Sequence, residues 1–520
     1  MIFRGPYEDV AIPEMSLPEF VLAGAAQRGD NPALIDGPTG RTLTYEALAG
    51  GVRALAAGLA AKGFSKGDVF AIHSPNVPEY AMAFHGIAAA GGIVTTMNPL
   101  YTEEELSFQL EDSKARYLLT VPQFLEVARA AGEAAGVEEI FVFGEAEGAS
   151  PFAGLLAPGE EPPHVQFSPK EDLVVLPYSS GTTGFPKGVM LTHHNLVSNV
   201  VQAEVPQEVG ESDVVIGVLP FFHIYGMTVI MNIAIHVGAT IVTMPRFDLQ
   251  QFLELIQNHK VTRAFIVPPI ALALAKHPMV ADYDLSSLEM VMSGAAPLGA
   301  DLTRECEERV GCIVIQGYGL TETSPVTHVN PEAHEGNRPG SIGLPLPNTE
   351  CKVVDPVSGK DLGAGETGEV WIRGPQVMKG YLSNEKATRA TVDDEGWLHS
   401  GDLGYVDDDG YFFLVDRLKE LIKYKGYQVP PAELEAVLIS HPAVADAAVI
   451  PVPDEEAGEI PKAFVVLSDD VPLEDIQAYV AERVAPYKKI RLIEKVDEIP
   501  KSASGKILRR VLVERERGGA

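Results

Sequence analysis

Up to about residue 350 the chain alternates between two hydrophobic periods, and that alternation limits the folds open to it. The stretch 44–63, TYEALAGGVRALAAGLAAKG, repeats apolar residues at helical spacing, whereas 68–74, DVFAIHS, reads as a strand. EYAMAFHGIAAAGG (79–92) is helical again, and GIVTTMNP (92–99) is extended. Further on, EMVMSGAAPL reads as a strand entering a turn, DLTRECEERV as a helix and CIVIQGYG as a strand. Strands that alternate with helices predict α/β layers around a largely parallel sheet. From about Glu350 short strands and Gly/Asp turns take over, as in GYVDDDGYFFLVD. After Asp416 a small α+β unit is expected. Its helix, PPAELEAVLISHP, starts on proline, which the first turn tolerates. The strands DAAVIPV and KAFVVL and the helix LEDIQAYVAERV follow. The expected organisation is a large N-terminal domain over 1–415, made of layered α/β subdomains plus a β-rich part. A small mobile α+β domain covers 416–520, with the boundary near Asp416.

At 520 residues the chain has room for several subdomains and a large core. Its net charge of −32 argues against nucleic acid or an anionic membrane surface as a partner, since both attract basic surfaces. Three cysteines, Cys306, Cys312 and Cys351, without CxxC spacing make neither a disulfide framework nor a zinc site. The weakly charged stretch 81–100 contains His85, Gly86, Gly91, Gly92 and Pro99, and reads as a buried helix–turn–strand rather than a membrane span. With no apolar leader at the N-terminus and no Ser-Lys-Leu at the C-terminus, a cytoplasmic location is expected.

Five segments carry chemistry. SSGTTGFPKGV (179–189) follows the apolar run 173–176. Its glycines let backbone N–H groups approach an anion, its hydroxyls add donors, and Lys187 adds a mobile charge; together these fit a polyphosphate. It is not a Walker A loop, because Gly188 rather than Ser or Thr follows the lysine. The plain alternative is a surface loop. QGYGLTET (316–323) places Glu322 beside two threonines after a strand, a donor set suited to Mg²⁺ on phosphates; the alternative is a capping box. HSGDLG with DRLKELIKYKGYQV offers Asp402 for sugar hydroxyls and sets Arg417, Lys419, Lys423 and Lys425 close together in an acidic chain. A solvated basic face is the ordinary meaning of such a run, but here it would focus anions. PKSASGKILRR carries Lys506 in a small-residue loop, and LPFFHIYG carries His223 among aromatics. Taken singly, these two read as a solvated lysine and a satisfied core histidine.

Taken together and in this order, the segments resemble the acyl-adenylate-forming (AMP-dependent synthetase/ligase) superfamily over about 42–510. LPFFHIYG, YDLSSL, SGAAPLG, IKYKGYQV and PKSASGKILRR are most similar to its 4-coumarate–CoA ligase branch, especially bacterial members. The resemblance implies an ATP-dependent acid–CoA ligase. A carboxylate attacks the α-phosphate of MgATP to give acyl-AMP and pyrophosphate, and the thiol of coenzyme A then takes the acyl group and releases AMP. It further implies that Ser179, Ser180, Gly181, Thr182, Thr183, Gly184 and Lys187 hold the β- and γ-phosphates. Thr321 and Glu322 would contact the α-phosphate and Mg²⁺, and Gln316, Gly317 and Tyr318 would line the adenine. Asp402 and Arg417 would hold ribose hydroxyls. Lys506 would bridge substrate carboxylate and α-phosphate, and His223 would orient the carboxylate. Lys423 and Gln428, with Lys419 assisting, would serve the small domain's chemistry. Lys425 and Gly426 would meet coenzyme A, and Asp416 would be the hinge.

By the same resemblance the acyl pocket comprises Tyr225, Val229, Met292, Ala295, Gly319, Pro325 and Val326. Plant enzymes of the branch place a small hydroxyl residue at Val229 and a lysine at Met292, so this wall is more apolar. A buried phenol without a partner costs about 1–3 kcal/mol. Cinnamate or another apolar aryl acid is therefore expected over 4-coumarate, with a medium- or long-chain fatty acid and broad specificity as competitors. The partners expected are the acid and coenzyme A, and a homodimer is compatible with the chain. Loading a carrier protein, a luciferase-like reaction and a non-catalytic nucleotide binder are the competing functions; the last should lack Lys506, Glu322 or Lys187, and all three are present.

Overall fold

The computed structural model describes residues 1–179, 186–425, 427–454, 456–502 and 505–518. Among them an eight-stranded sheet runs in the order Gly380–Tyr381, Lys187–Thr192, Leu173–Ser179, Ile93–Met97, Val69–His73, Ala115–Thr120, Glu139–Val142, Ser150–Pro151. Its strands from Leu173–Ser179 onward pair in parallel, and the two at the other edge pair antiparallel. The strand Val69–His73 is buried along its whole length, as expected where helices cover both faces of a parallel sheet. The flanking helix Tyr45–Ala61 turns Tyr45, Leu48, Val52, Leu55 and Leu59 inward at the 3.6-residue period. Thr44 caps it, the hydroxyl accepting the Ala47 N–H at 3.2 Å. The stretch 81–100 is indeed a helix, Glu79–Ala89, and a strand, Ile93–Met97. No helix among the described residues is long and apolar enough to cross a membrane.

A second sheet, nine-stranded among the described residues, holds the other half of this core. Its centre is parallel: Thr240–Thr243, Val214–Gly217, Arg263–Ile266, Met290–Ser293 and Ile313–Gly319 lie side by side. Val326–Val329 then turns back antiparallel on Ile313–Gly319. An antiparallel sheet of Glu350–Val354, Gly368–Arg373, Leu398–Val406 and Phe412–Arg417 follows. Its strand Gly368–Arg373 alternates buried and half-buried residues, so one face packs on a small core of Cys351, Val353, Val370, Ile372 and Phe412.

Beyond Arg417 lies a third type of layer. The strands Val444–Asp454 and Gly458–Leu467 pair antiparallel, with Leu492–Lys495 added in parallel. Ala447 and Val449 face the helices Pro431–Ile439 and Leu473–Arg483, while Ala448 and Ile450 face Val496, Ile499 and Leu512 on the other side. This unit joins the rest through Asp416, whose carboxylate accepts the Ala432 N–H at 2.8 Å in the first turn of Pro431–Ile439.

One helix links the layers to the cavity described below. His193–Gln207 begins with a capping box between Thr192 and Asn195 and buries Asn199. The Asn199 amide donates to the Val326 carbonyl at 2.7 Å and accepts the Val326 N–H at 2.9 Å. A leucine of similar size at 199 would orphan two buried backbone groups, at about 1–3 kcal/mol each. Asn199→Leu is therefore expected to lower the denaturant midpoint with an unchanged m-value.

Candidate active site

The ends of the parallel strands build the site, where open α/β sheets place their ligands. Met292, Gly294 and Ala295 lie at and just beyond the end of Met290–Ser293, and Gly317, Tyr318 and Gly319 end the neighbouring strand. Together with His223, Ile224, Tyr225, Leu320, Thr321, Pro325, Val326 and Lys506 they line one cavity. Local backbone demands are visible here. Ala295 sits at φ 69°, a left-handed conformation that non-glycine residues rarely take. A Cβ at Gly319 would run into the Pro325 carbonyl.

One end of the cavity is apolar. The Tyr225 hydroxyl donates to the Met292 carbonyl at 3.3 Å, and Met292 lies against Gly317. Of the expected acyl-pocket residues, Tyr225, Met292, Ala295, Gly319, Pro325 and Val326 line this cavity. Val229 is not among the lining residues. It is buried in the π-helical segment Gly226–Asn232, where winding wider than an α-helix changes which side chains share a face.

The other end is polar. His223 Nδ1 accepts the Tyr225 N–H at 3.3 Å. Burial, with the Lys506 charge adding to it, pushes the His223 imidazole down to about 3, so it is neutral at ordinary pH. Lys506 reaches this cavity from the C-terminal unit. Its backbone is held by Ser502, whose hydroxyl accepts the Lys506 N–H at 3.2 Å and whose N–H donates to the Lys506 carbonyl at 2.8 Å. Gly505, at φ 77°, brings this loop against Val267 of the larger body, leaving 3.0 Å for a Cβ. Burial lowers the Lys506 ammonium, and Arg417 adds to that; Asp402, Glu322 and Glu420 oppose it.

Asp402 and Arg417 face each other across an antiparallel pair, with Arg417 Nε 3.2 Å from the carboxylate. The Tyr318 hydroxyl donates to the same carboxylate at 2.5 Å. Burial first, then the Asp402 charge, holds that phenol well above its usual range, so it stays a donor. Gln316 sits behind, buried, its Oε1 accepting the Leu298 N–H at 3.0 Å and its Nε2 without a hydrogen-bond partner among the described residues.

Ser179 and Lys187 are opposite each other where two antiparallel strands diverge. Ser180, Gly181, Thr182, Thr183 and Gly184, expected on phosphates, lie outside the described residues, as does Gly426. Lys187 Nζ rests 4.6 Å from the centre of the Tyr381 ring, and the Tyr381 hydroxyl donates to Glu322 at 2.7 Å. The turn Thr321–Thr323 is a single 3-10 turn in which the Thr323 hydroxyl accepts the Leu320 N–H at 3.0 Å. Thr323 thus does the capping that sequence raised as an alternative, and Glu322 is left facing Tyr381. Tyr381 carried no signal in the sequence, because only strand pairing brings it to Glu322.

The remaining expected residues are not in this cavity. Lys423 and Gln428 are cross-strand partners on an exposed hairpin, and Lys419 is exposed. Lys425 is exposed and paired with Glu456. Asp416 is buried at the junction, where burial raises its carboxyl to about 6.

Known proteins are similar to this chain along nearly its whole length. The AMP-binding enzyme family pattern matches residues 22–382, and that of the AMP-binding enzyme C-terminal domain matches 433–506. The chain is 46% identical to 4-coumarate–CoA ligase 5 of Oryza sativa subsp. japonica, over 98% of this chain and 96% of that protein. It is 44% identical to 4-coumarate–CoA ligase of Pinus taeda, over 98% and 97%. An anthranilate CoA ligase solved with anthranoyl-AMP superposes with a TM-score of 0.90 at 29% identity, covering 97% of this chain and 98% of that one. From its first α/β layers to the C-terminal unit that carries Lys506, the chain belongs to the AMP-binding enzyme family.

Proposed function

We propose that this protein is an ATP-dependent acid–CoA ligase acting on an apolar aryl acid of the cinnamate and 4-coumarate type. The observation that carries the reading is the shared cavity: Lys506 and His223 at its polar end, Tyr225, Met292 and Val326 at its apolar end, and Thr321 between. Curated relatives at 43–46% identity over nearly the whole chain are 4-coumarate–CoA ligases, which supports acid–CoA ligation through an adenylate.

A carboxylate is a poor electrophile with a poor leaving group, and it repels a polyphosphate. In the first step a carboxylate oxygen attacks the α-phosphorus of ATP, the bond to pyrophosphate breaks, and acyl-AMP forms. The protein's share is positioning and charge stabilisation. Lys506 lies between the two anions and relieves their repulsion. His223 is neutral and accepts a backbone N–H at Nδ1, so its proton resides on Nε2, a donor for the acyl carboxylate. Asp402, held by Arg417, takes the ribose hydroxyls, and Gln316, Gly317 and Tyr318 line the adenine. Lys187 and the loop before it take the β- and γ-phosphates.

Glu322 fits Mg²⁺. Among the described residues no group of three or more His, Cys, Asp or Glu could hold an ion, and Mg²⁺ needs only one or two carboxylates besides substrate phosphates. Bound there, it would neutralise developing charge on the phosphates. In the second step the thiol of coenzyme A attacks the acyl carbon and AMP leaves. Lys423, Gln428 and Lys425 stand outside the cavity with Lys506 inside it. Rotation of the small domain about Asp416 would exchange the two sets, with Lys419 assisting and Gly426 admitting the pantetheine arm.

Specificity follows from the apolar end. The Tyr225 hydroxyl already donates to Met292, and the wall offers a 4-hydroxyl little else. Val229 acts from behind the wall, which leaves Met292 as the side chain that decides. Its adaptable thioether also makes a medium-chain fatty acid the second reading.

Lys506→Ala is expected to slow acid-dependent ATP–pyrophosphate exchange about 10²–10³-fold while sparing thioester formation from supplied acyl-AMP, and Lys423→Ala should show the opposite bias. Equal losses in both half-reactions would contradict the rotation. Met292→Lys should raise the ratio of kcat/KM for 4-coumarate over cinnamate about tenfold, within the ~1–3 kcal/mol of one satisfied buried hydroxyl. Adenylation should fall as pH rises through the lowered Lys506 ionisation, since the cation is lost there, and should show no acid limb from His223 between about pH 5 and 8. A pH profile of the exchange reaction checks both statements; a limb near pH 6–7 that vanishes in His223→Ala would refute the neutral-imidazole role.

A further inference from the structure

Two residues assigned to the phosphate end come from different parts of the chain. Lys187 opens the strand Lys187–Thr192, and Glu322 sits in the turn after Ile313–Gly319 of the other parallel sheet. Among the described residues no ion pair or hydrogen bond joins them directly; Tyr381 touches both. Its hydroxyl donates to Glu322 Oε1 at 2.7 Å, and the face of its ring receives Lys187 Nζ at 4.6 Å. That distance lies within the range of a cation–π contact.

Tyr381 is itself firmly held. The strand Gly380–Tyr381 pairs antiparallel with Lys187–Thr192, placing Tyr381 opposite Val189. The Lys379 N–H donates to the Met190 carbonyl at 3.0 Å and the Leu382 N–H to the Gly188 carbonyl at 2.8 Å. On the other side, the Met378 N–H donates to the Glu322 carbonyl at 2.9 Å. The Tyr381 N–H donates to the Thr388 hydroxyl at 2.8 Å, which ties it to the helix Glu385–Thr391. The side chain is 5% exposed.

We propose that Tyr381 is a positioning residue for adenylation: its hydroxyl fixes the Glu322 carboxylate, and its ring fixes the Lys187 ammonium, so that both meet the ATP phosphates in one orientation. This rests on the ligase reading and adds a residue to it. A carboxylate in a single-carboxylate site has no second acidic ligand to align it, so an outer donor must do so. A lysine has a long flexible stem, and docking it on a ring lessens the entropy lost on meeting phosphate.

The test compares Tyr381→Phe, which keeps the ring, with Tyr381→Leu, which removes it, in the full-length chain. Tyr381→Phe should lower kcat/KM for ATP in acid-dependent ATP–pyrophosphate exchange about 10–100-fold, the scale of one hydrogen bond to a charged group. Thioester formation from supplied acyl-AMP should change less than about twofold. In a Glu322→Gln background the Phe substitution should cost little more, because the bond it removes is already altered. Calorimetry with a non-hydrolysable ATP analogue should show Tyr381→Leu binding about 3–10-fold more weakly than Tyr381→Phe, the worth of the ring face. Wild-type exchange in Tyr381→Phe, or additive losses with Glu322→Gln, would reduce Tyr381 to packing. If the wild-type chain supports no acid-dependent exchange, the ligase reading fails by itself. The analogue affinities of the two variants then still decide the inference: a weaker Leu variant supports it, and equal binding overturns it.

Discussion

The site depends on one charge pair, a buried Asp402 and a half-exposed Arg417. Asp402 and Arg417 meet across an antiparallel ladder, and Tyr318 closes the pair from the end of a parallel strand. Removing a carboxylate from water is costly unless it is paired and hydrogen-bonded, and here each Asp402 oxygen has a partner. Through Tyr318 the pair ties the antiparallel sheet to the nine-stranded one, alongside the contacts of His328 with Cys351 and Phe412. It also sets the local field into which Lys506 is brought, with Arg417 disfavouring the ammonium and Asp402 favouring it.

Around this hub the cavity divides by chemistry. The strand ends supply Gly317 and Gly319, whose missing side chains leave room for the Met292 methyl and the Pro325 carbonyl in the cavity wall. The return strand Val326–Val329, clamped by Asn199, supplies the apolar wall opposite. Activation and recognition thus use different elements. The wall can vary in polarity, as at Met292, without disturbing the groups that meet phosphate.

Much of this was legible in the sequence. The parallel core strands are continuous apolar runs, and the helix Tyr45–Ala61 has a clear period and cap, because both report local burial. Singly, Lys506 read as a solvated lysine and His223 as a core histidine, and Tyr318 and Thr321 gained roles only through the family resemblance; the fold gathers all four. Val229 shows the limit. Its apolar character fitted a pocket wall, yet a π-helical turn buries it behind that wall, and nothing local in the sequence announces wider winding. Tyr381 shows the converse, an ordinary tyrosine made important by a two-residue strand that pairs far away in the chain.

By itself, the sequence determined the α/β class, the order of the strands and helices, and the kinds of group present at each strand end. These are settled by hydrophobic period, turn residues and donor chemistry, all of which act over a few neighbours. Only the tertiary structure decided which of those groups meet. Lys506 enters the cavity while the Lys423–Gln428 hairpin stays out, because Gly505 lets one loop seat against Val267. Lys187 and Glu322 converge on one ring because its strand pairs with Lys187–Thr192 while the nearby Met378 N–H bonds the Glu322 carbonyl. Such meetings depend on pairings across hundreds of residues, which no local pattern records.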